Sequence, residues 1–480
     1  MTSPLSVLFL ASEAEPFVKV GGLGDVAGSL PKELRQQGID IRLAIPLHGT
    51  IQRSVYDLRL QAAFEIPHGS GSIPAEVYTT QRGGLPVYLI AGPPFPPEAP
   101  VYSNDWGLDA HKYIFFSLAA LELARTLNWQ PRILHANDWH TAAAVYWLAL
   151  NRHIDPFYQR TASLLTIHNL PYLGMDGSAP MGAFGLPAAS KSLLPVWARH
   201  LPLPLGLLTA DYIAAVSPTY AREMLTPEFG SGLDEFLRTR AKTITGILNG
   251  LDQNYWNPAT DMVLPSTYDQ ANLALRGVNK IALQQEWSLP SDPAVPLLAF
   301  IGRLNHQKGV DLALDALRSL VEQPWQIIFL GTGVPELEAA IRQLQNDYPE
   351  RARAVIRYDE ILSHRIYAGA DMLLVPSRYE PCGLVQMIAM RYGCVPIVRA
   401  TGGLKDTVYE NAGNQANGFL FNEARPEALA DAIRRALILY TNSSRWQELQ
   451  RHAMQQNFSW ERSAREYGSV YQKLMKKRHP

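Results

Sequence analysis

Val7-Leu8-Phe9-Leu10, a short apolar run, leads into Lys19-Val20-Gly21-Gly22-Leu23-Gly24-Asp25 and then into an amphipathic stretch from about Val26 to Gln37. The plan is buried strand, glycine-containing loop, helix. It recurs in the second half, where Leu297-Leu298-Ala299-Phe300-Ile301 passes through Gly302 to Gly309 into a helix around Val310 to Val321. Two copies of one plan predict two nucleotide-binding-like α/β halves.

Working outward, further strand-like runs fall in each half. They are Ile39 to Ile45, Ile133 to His135, Ser163 to Ile167 and Tyr212 to Val216, then Gln326 to Leu330, Ala354 to Ile356, Met372 to Val375 and Val395 to Val398. Helical stretches such as His111 to Leu127 and Leu384 to Tyr392 lie between several of them, which predicts parallel sheets with right-handed crossovers. About Ile51 to Pro100 the rhythm breaks on several Gly and Pro residues, and a β-rich or irregular insertion is expected there. The expected division is residues 1–250, residues 251–456, and a C-terminal helix over 457–480 that packs back on the first half. Its apolar positions are Trp460, Ala464, Tyr467, Val470, Tyr471 and Leu474.

The chain's 480 residues exceed the usual size of one hydrophobic core, and its 47% apolar content supplies two. Lys+Arg at 43 against Asp+Glu at 44 leaves a net charge of −1. No long-range field then draws in a nucleic acid, and any phosphate must meet a local positive site. Two cysteines, Cys382 and Cys394, are too few for a disulfide framework and fit a reducing compartment. The Val7 to Leu10 run is too short for a signal peptide, and no later stretch suffices to span a bilayer. The expectation is a cytoplasmic protein, or a plastid stromal one whose transit peptide has been removed, with no membrane partner.

Five strings carry candidate chemistry. In the Lys19 to Asp25 turn, glycines let bare amides approach a phosphate at a helix start, although a plain tight turn reads the same way. In Gly302-Arg303-Leu304-Asn305-His306-Gln307-Lys308-Gly309, Arg303 offers a planar fork and Lys308 a compact charge, suited to two oxygens of a diphosphate or to solvent. In Pro376-Ser377-Arg378-Tyr379-Glu380-Pro381-Cys382-Gly383-Leu384, free amides around Gly383, Leu384 and Val385 face an anion. There Glu380 orients a sugar hydroxyl or offsets positive charge, unless it simply caps; Cys382 reads as packed.

His135-Ala136-Asn137-Asp138-Trp139-His140 and Thr166-Ile167-His168-Asn169-Leu170 both end strands. Their histidines and aspartate superficially resemble a metal site. Without cysteine ligands, hydrogen bonding to a sugar is the preferred reading, and no metal is expected.

In this order the strings resemble the bacterial glycogen synthases and plant starch synthases, from about Val7 to Tyr471. The most specific pieces are the Lys19 turn, the His135 string, Arg303 to Gly309, and Glu380-Pro381-Cys382-Gly383-Leu384 followed by Thr401-Gly402-Gly403-Leu404. The resemblance implies a GT-B fold, an α/β architecture of two Rossmann-like doubly wound domains facing each other across a deep cleft. It implies an acceptor-side first domain and a donor-side second one that close on the ligands.

The implied reaction is retaining transfer of glucose from ADP-glucose to the non-reducing end of an α-1,4-glucan such as glycogen, amylopectin or a maltooligosaccharide. No cofactor is implied. The resemblance assigns Lys19, Asp138, His168, Arg303, Lys308 and Glu380 to catalysis. It assigns Gly22, Asp25, Asn249, Arg303, Lys308, Tyr358, Cys382, Gly383, Leu384 and Val385 to the donor, with Tyr358 against the adenine.

Three positions depart from the family pattern. Val385 replaces a common threonine, so only its amide is left for phosphate, and Leu173 replaces a common glutamine near the sugar or acceptor. Val20 in the glycine turn looks closer to starch synthases of granule initiation or branch elongation. A UDP-glucose or sucrose-type transferase of the same fold, and a non-catalytic glucan-binding scaffold, are the alternatives.

Overall fold

Strand β1 (Ser6–Leu10) is buried along its whole length. Such a strand needs cover on both faces, which parallel sheets with crossover helices provide. The computed structural model describes residues 5–410 and 413–478. The chain divides into two compact units, Met1–Gly250 with Trp460–Pro480, and Leu251–Ser459. The outermost residues of the expected spans, 1–4 and 479–480, lie outside the described residues.

In the first unit β1 is followed by β2 (Asp40–Pro46), β3 (Arg59–His68), β4 (Gly71–Arg82), β5 (Leu85–Ala91), β6 (Ile133–Asn137), β7 (Ala162–Ile167), β8 (Tyr212–Ala215) and β9 (Ile244–Gly246). They form one sheet in the order β3-β4-β5-β2-β1-β6-β7-β8-β9. The stretch expected as an insertion is therefore part of this sheet. Strands β3 and β4 pair antiparallel, β4 and β5 do the same, and β5 rejoins parallel to β2. Its broken pattern follows from solvent exposure, since β3 is mostly exposed on an edge.

The second unit carries β10 (Leu297–Ile301), β11 (Gln326–Leu330), β12 (Ala352–Val355), β13 (Met372–Val375), β14 (Val395–Arg399) and β15 (Phe419–Phe421). Their order, β12-β11-β10-β13-β14-β15, is all parallel. It is the doubly wound order in which the winding reverses at one point, between β10 and β13. In the first unit the same reversal lies between β1 and β6. Loops leaving the carboxyl ends of these four strands line the crevices where such sheets hold ligands.

One helix start differs from expectation. The first crossover helix spans Gly22–Gln36, so Gly22 and Gly24 belong to its first turn and Gly21 is its N-cap. The helix after β13 spans Val385–Arg391.

Helix Trp460–Arg478 lies in the first unit's core, with Trp460, Ala464, Tyr467, Val470, Tyr471 and Leu474 buried beside Leu30, Leu34 and Val26. Tyr471 Oη meets His135 Nδ1 at 2.6 Å. Burying each large apolar side chain contributes about 1.5–3 kcal/mol, which fixes this helix to the sheet. Among the described residues no helix is long and apolar enough to cross a membrane.

Candidate active site

In the second unit the loop after β10 tightens into a short turn, His306–Lys308, in which Asn305 Oδ1 accepts from the Lys308 amide at 3.1 Å. Gly309 follows with φ 69°, and a Cβ there would stand 2.1 Å from the Pro376 carbonyl oxygen. Only glycine lets this turn lie against the segment leaving β13. Arg378, on that segment, donates its amide to the Gln307 carbonyl at 2.8 Å and its guanidinium to both oxygens of Asp311 at 2.8 and 2.6 Å. The two loops are thus braced by backbone contact and a bidentate ion pair.

This bracing brings Lys308 to Glu380, with Nζ 2.5 Å from Oε2, while the Ser377 hydroxyl donates to the same oxygen at 2.8 Å. Glu380 is buried, and its backbone carbonyl accepts from the Gly403 amide at 3.1 Å. The Thr401 to Leu404 string thus supports Glu380 from below. Arg303 is different. It is exposed, and among the described residues no carboxylate or hydrogen-bond acceptor engages its guanidinium. An unpaired fork at the winding reversal is ready for an external anion.

The amides of Gly383, Leu384 and Val385 flank the start of Val385–Arg391, where the first helical amides have no intrahelical partner. Cys382 is buried, as expected of a packed thiol. Tyr358 lies just past β12, two strands from β10, with its ring 79% exposed.

In the first unit the glycine turn is held largely from within. Glu13, 2% exposed, accepts from the amides of Val20 and Gly21, the latter at 3.1 Å, and from Tyr102 Oη at 3.0 Å. Burial, against those donors, raises its carboxyl above the usual range. Lys19 Nζ contacts Asp25 at 2.7 Å and Glu15 at 3.2 Å. Burial opposes its charge, yet these two carboxylates hold the ammonium well above its ordinary value. Burial likewise pushes Asp25 up to about 6, with Lys19 pulling the other way.

Asp138, the residue after β6, has φ 55° and ψ −172°, a region nearly reserved for glycine that costs about 1–3 kcal/mol. Its Oδ1 accepts the amides of His168 at 2.7 Å and Asn169 at 3.2 Å from the end of β7. Burial pushes its carboxyl up to about 7, against those two amides. Beside it, Asn137 Nδ2 donates to the Leu10 carbonyl at 2.8 Å, which turns Asn137 Oδ1 toward His168 Nε2 at 2.9 Å. That orientation makes Nε2 the donor and leaves Nδ1 as an acceptor. Burial draws the His168 imidazole down to about 3, so it is neutral near pH 7.

Asn249, in the loop past β9, is buried, and its Oδ1 has no partner among the described residues. An orphaned buried acceptor is costly unless a ligand donates to it. His135 has both ring nitrogens engaged, by Tyr471 and by Thr166 Oγ1 at 2.8 Å. Among the described residues no group of three or more His, Cys, Asp or Glu side chains is placed to hold a metal ion.

Two family profiles cover most of the chain, one described as starch synthase catalytic domain over residues 6–239 and one as glycosyl transferases group 1 over residues 283–453. Glycogen synthase 2 of Nitrosococcus oceani is 41% identical over 485 residues, spanning 98% of this chain and 97% of that protein. The chain belongs to the glycogen and starch synthase family. It is accordingly a glycosyltransferase of the GT-B class.

Among solved structures, the catalytic domain of starch synthase IV from Arabidopsis thaliana, bound to ADP and acarbose, matches with a TM-score of 0.91 at 32% identity. The match covers 99% of this chain and 100% of that one. The sucrose-phosphate synthase of Thermosynechococcus elongatus, at 19% identity and a TM-score of 0.64 over 98% of this chain and 100% of that one, shares the fold.

For a synthase of this family, the sequence-derived residues fall into two sets. Arg303, Lys308, Glu380 and the Gly383 to Val385 amides gather at the β10/β13 reversal. Lys19, Gly22 and Asp25 follow β1, while Asp138 follows β6, His168 follows β7 and Asn249 follows β9, all along one edge of the first sheet. Sequence reasoning missed Glu13, Asn137 and Ser377, which hold the turn, the histidine and the glutamate. Their signal was only proximity to a strand end, shared by many loop residues.

Proposed function

We propose that this glycosyltransferase elongates α-1,4-glucans, moving glucose from ADP-glucose to a non-reducing end with retention and releasing ADP. The observation that carries the donor assignment is Arg303, a guanidinium that among the described residues has no acceptor, at the β10/β13 reversal. Beside it stands Lys308, whose ammonium already offsets Glu380. On this reading the second unit is the donor side. Arg303, Lys308 and the amides of Leu384 and Val385 take the diphosphate, and the exposed ring of Tyr358 takes the adenine. The ADP and acarbose bound to the 32% identical starch synthase IV domain support this choice of donor and acceptor class.

The first unit is the acceptor side. Asp138, neutral His168 and the orphaned Asn249 oxygen suit sugar hydroxyls, and Lys19 with Asp25 offers a charged pair just past β1. Retention follows from attack by the acceptor hydroxyl on the face the diphosphate leaves. The C1–O bond to ADP breaks as the new glycosidic bond forms, and the departing phosphate oxygen takes the hydroxyl proton. Negative charge grows on that phosphate, where fixed cations and amides stabilise it most. Glu380, held by Ser377 and Lys308, orients sugar hydroxyls rather than acting as a nucleophile. No metal enters these steps.

A donor-by-acceptor matrix with chelator present tests the reading. ADP release from ADP-glucose should depend on glycogen or a maltooligosaccharide and persist in chelator. Turnover with UDP-glucose alone, or with sucrose-type acceptors alone, would overturn it. Glucan binding without nucleotide release would identify a scaffold.

A further inference from the structure

The glycine turn after β1 looks like a phosphate loop, but an internal anion occupies it. Glu13 Oε2 accepts from two successive amides, Val20 and Gly21. Its other oxygen accepts from Tyr102, whose hydroxyl also meets Ser12 Oγ at 2.8 Å. The glycines fit this arrangement. A Cβ on Gly24 would stand 3.2 Å from Glu13 Oε2 and 3.1 Å from Lys19 Cγ. Gly24 therefore makes room for the Glu13 carboxylate and the Lys19 stem together. Glu13 also accounts for the turn's shape, because the first amides it holds are no longer available to an external phosphate. Those at Gly22 and Leu23, in the first helical turn, remain.

We infer that Glu13 is a positioning residue for glucosyl transfer: by holding the Val20 and Gly21 amides it sets the turn so that Lys19 and the Gly22 and Leu23 amides keep the placement the transfer step needs. The inference rests on the transfer reaction proposed above. Glu13 acts through the backbone and touches no substrate. A structural role alone would stabilise the unit without favouring the chemical step. A positioning role predicts that turnover falls while binding of ADP holds, because a small misplacement of a reacting group costs up to about a hundredfold in rate.

The test uses the full chain. Glu13→Ala should lower kcat by about 30–100-fold with the Kd for ADP and the KM for maltooligosaccharide nearly unchanged. Glu13→Gln, which keeps an oxygen for both amides and a group for Tyr102, should restore kcat to within about fivefold of wild type. Tyr102→Phe, which removes one donor and leaves both amide contacts, should cost about 3–10-fold in kcat.

Hydrogen exchange across Val20 to Leu23 should quicken in Glu13→Ala and stay slow in Glu13→Gln. Equal losses of turnover and ADP binding, or an ADP stoichiometry that falls with activity, would overturn the inference, as would a Glu13→Ala protein of wild-type kcat. If the wild-type protein transferred no glucose, the underlying reaction would be wrong. The exchange measurement would still decide whether Glu13 holds the turn, and unchanged exchange in Glu13→Ala would reject that too.

Discussion

The two winding reversals share a strand order and a loop chemistry yet hold their charge in opposite ways. After β1, Glu13 takes the amides of Val20 and Gly21, and Asp25 and Glu15 take Lys19. After β10, Lys308 is answered by Glu380 but Arg303 is left open. A glycine-rich strand-to-helix turn is therefore not by itself an anion site. What decides is whether the fold supplies its own carboxylate. The first turn is held by carboxylates of its own unit, whereas the second keeps one guanidinium unpaired among the described residues.

The sharpest way to break this contrast is Arg303→Ala. Losing the open guanidinium should lower kcat/KM for ADP-glucose by about a thousandfold and weaken ADP binding measured by calorimetry by at least about tenfold. A variant that binds ADP as the wild type does would move the anion site elsewhere. Next in size is Lys19→Ala. It should lower kcat by about a hundredfold while the Kd for ADP changes by no more than about threefold, as steady-state kinetics and calorimetry would read. Equal losses in both would make the first turn a static phosphate site and erase the distinction.

Smaller, and read in stability rather than rate, is Asp138→Asn. Burial raises the Asp138 pKa from 3.8 to about 7, so the folded chain binds this proton more tightly than the unfolded chain. The favourable contribution is complete below the unfolded value and is lost as pH rises through about 7. Above that pH the buried carboxylate costs stability that a neutral amide avoids. Asp138→Asn should therefore be more stable than wild type by about 1–3 kcal/mol at pH 8, a gain that shrinks as the pH is lowered toward 4. Denaturant midpoints across that range would check it. A gain independent of pH would assign the effect to the backbone at φ 55° instead.

Much of the fold was legible because parallel strands buried on both faces are continuous apolar runs. Gln326 to Leu330 and Met372 to Val375 stand as read, and the alternation with helices implied the doubly wound sheets. The segment from Ile51 to Pro100 was legible only as a β-rich or irregular insertion and not as part of the main sheet, because β3 and β4 are half-solvated and their Pro and Gly residues look like turns. The helix start at Gly22 was hidden for a related reason, since glycines in a first turn resemble a loop.

At the candidate site, residue types at strand ends were readable, but pairings across the chain were not. Lys308 meets Glu380 only because Gly309 lets two loops touch, and nothing in either string announces the other. Glu13 lies outside all five candidate strings. One of its partners, Tyr102, lies far along the chain.

The helix Trp460–Arg478 has a consequence for the order of synthesis. It completes the core around β1 and supplies the hydroxyl that meets His135, yet the ribosome makes it only after the whole of Leu251–Ser459. At translation rates of about 5–20 residues per second, the first unit waits about 10–40 s for its last core element. During that interval the surface later covered by Trp460, Tyr467 and Tyr471 is bare. The first half of the chain is thus the last to complete its core, even though its strands are the first to emerge.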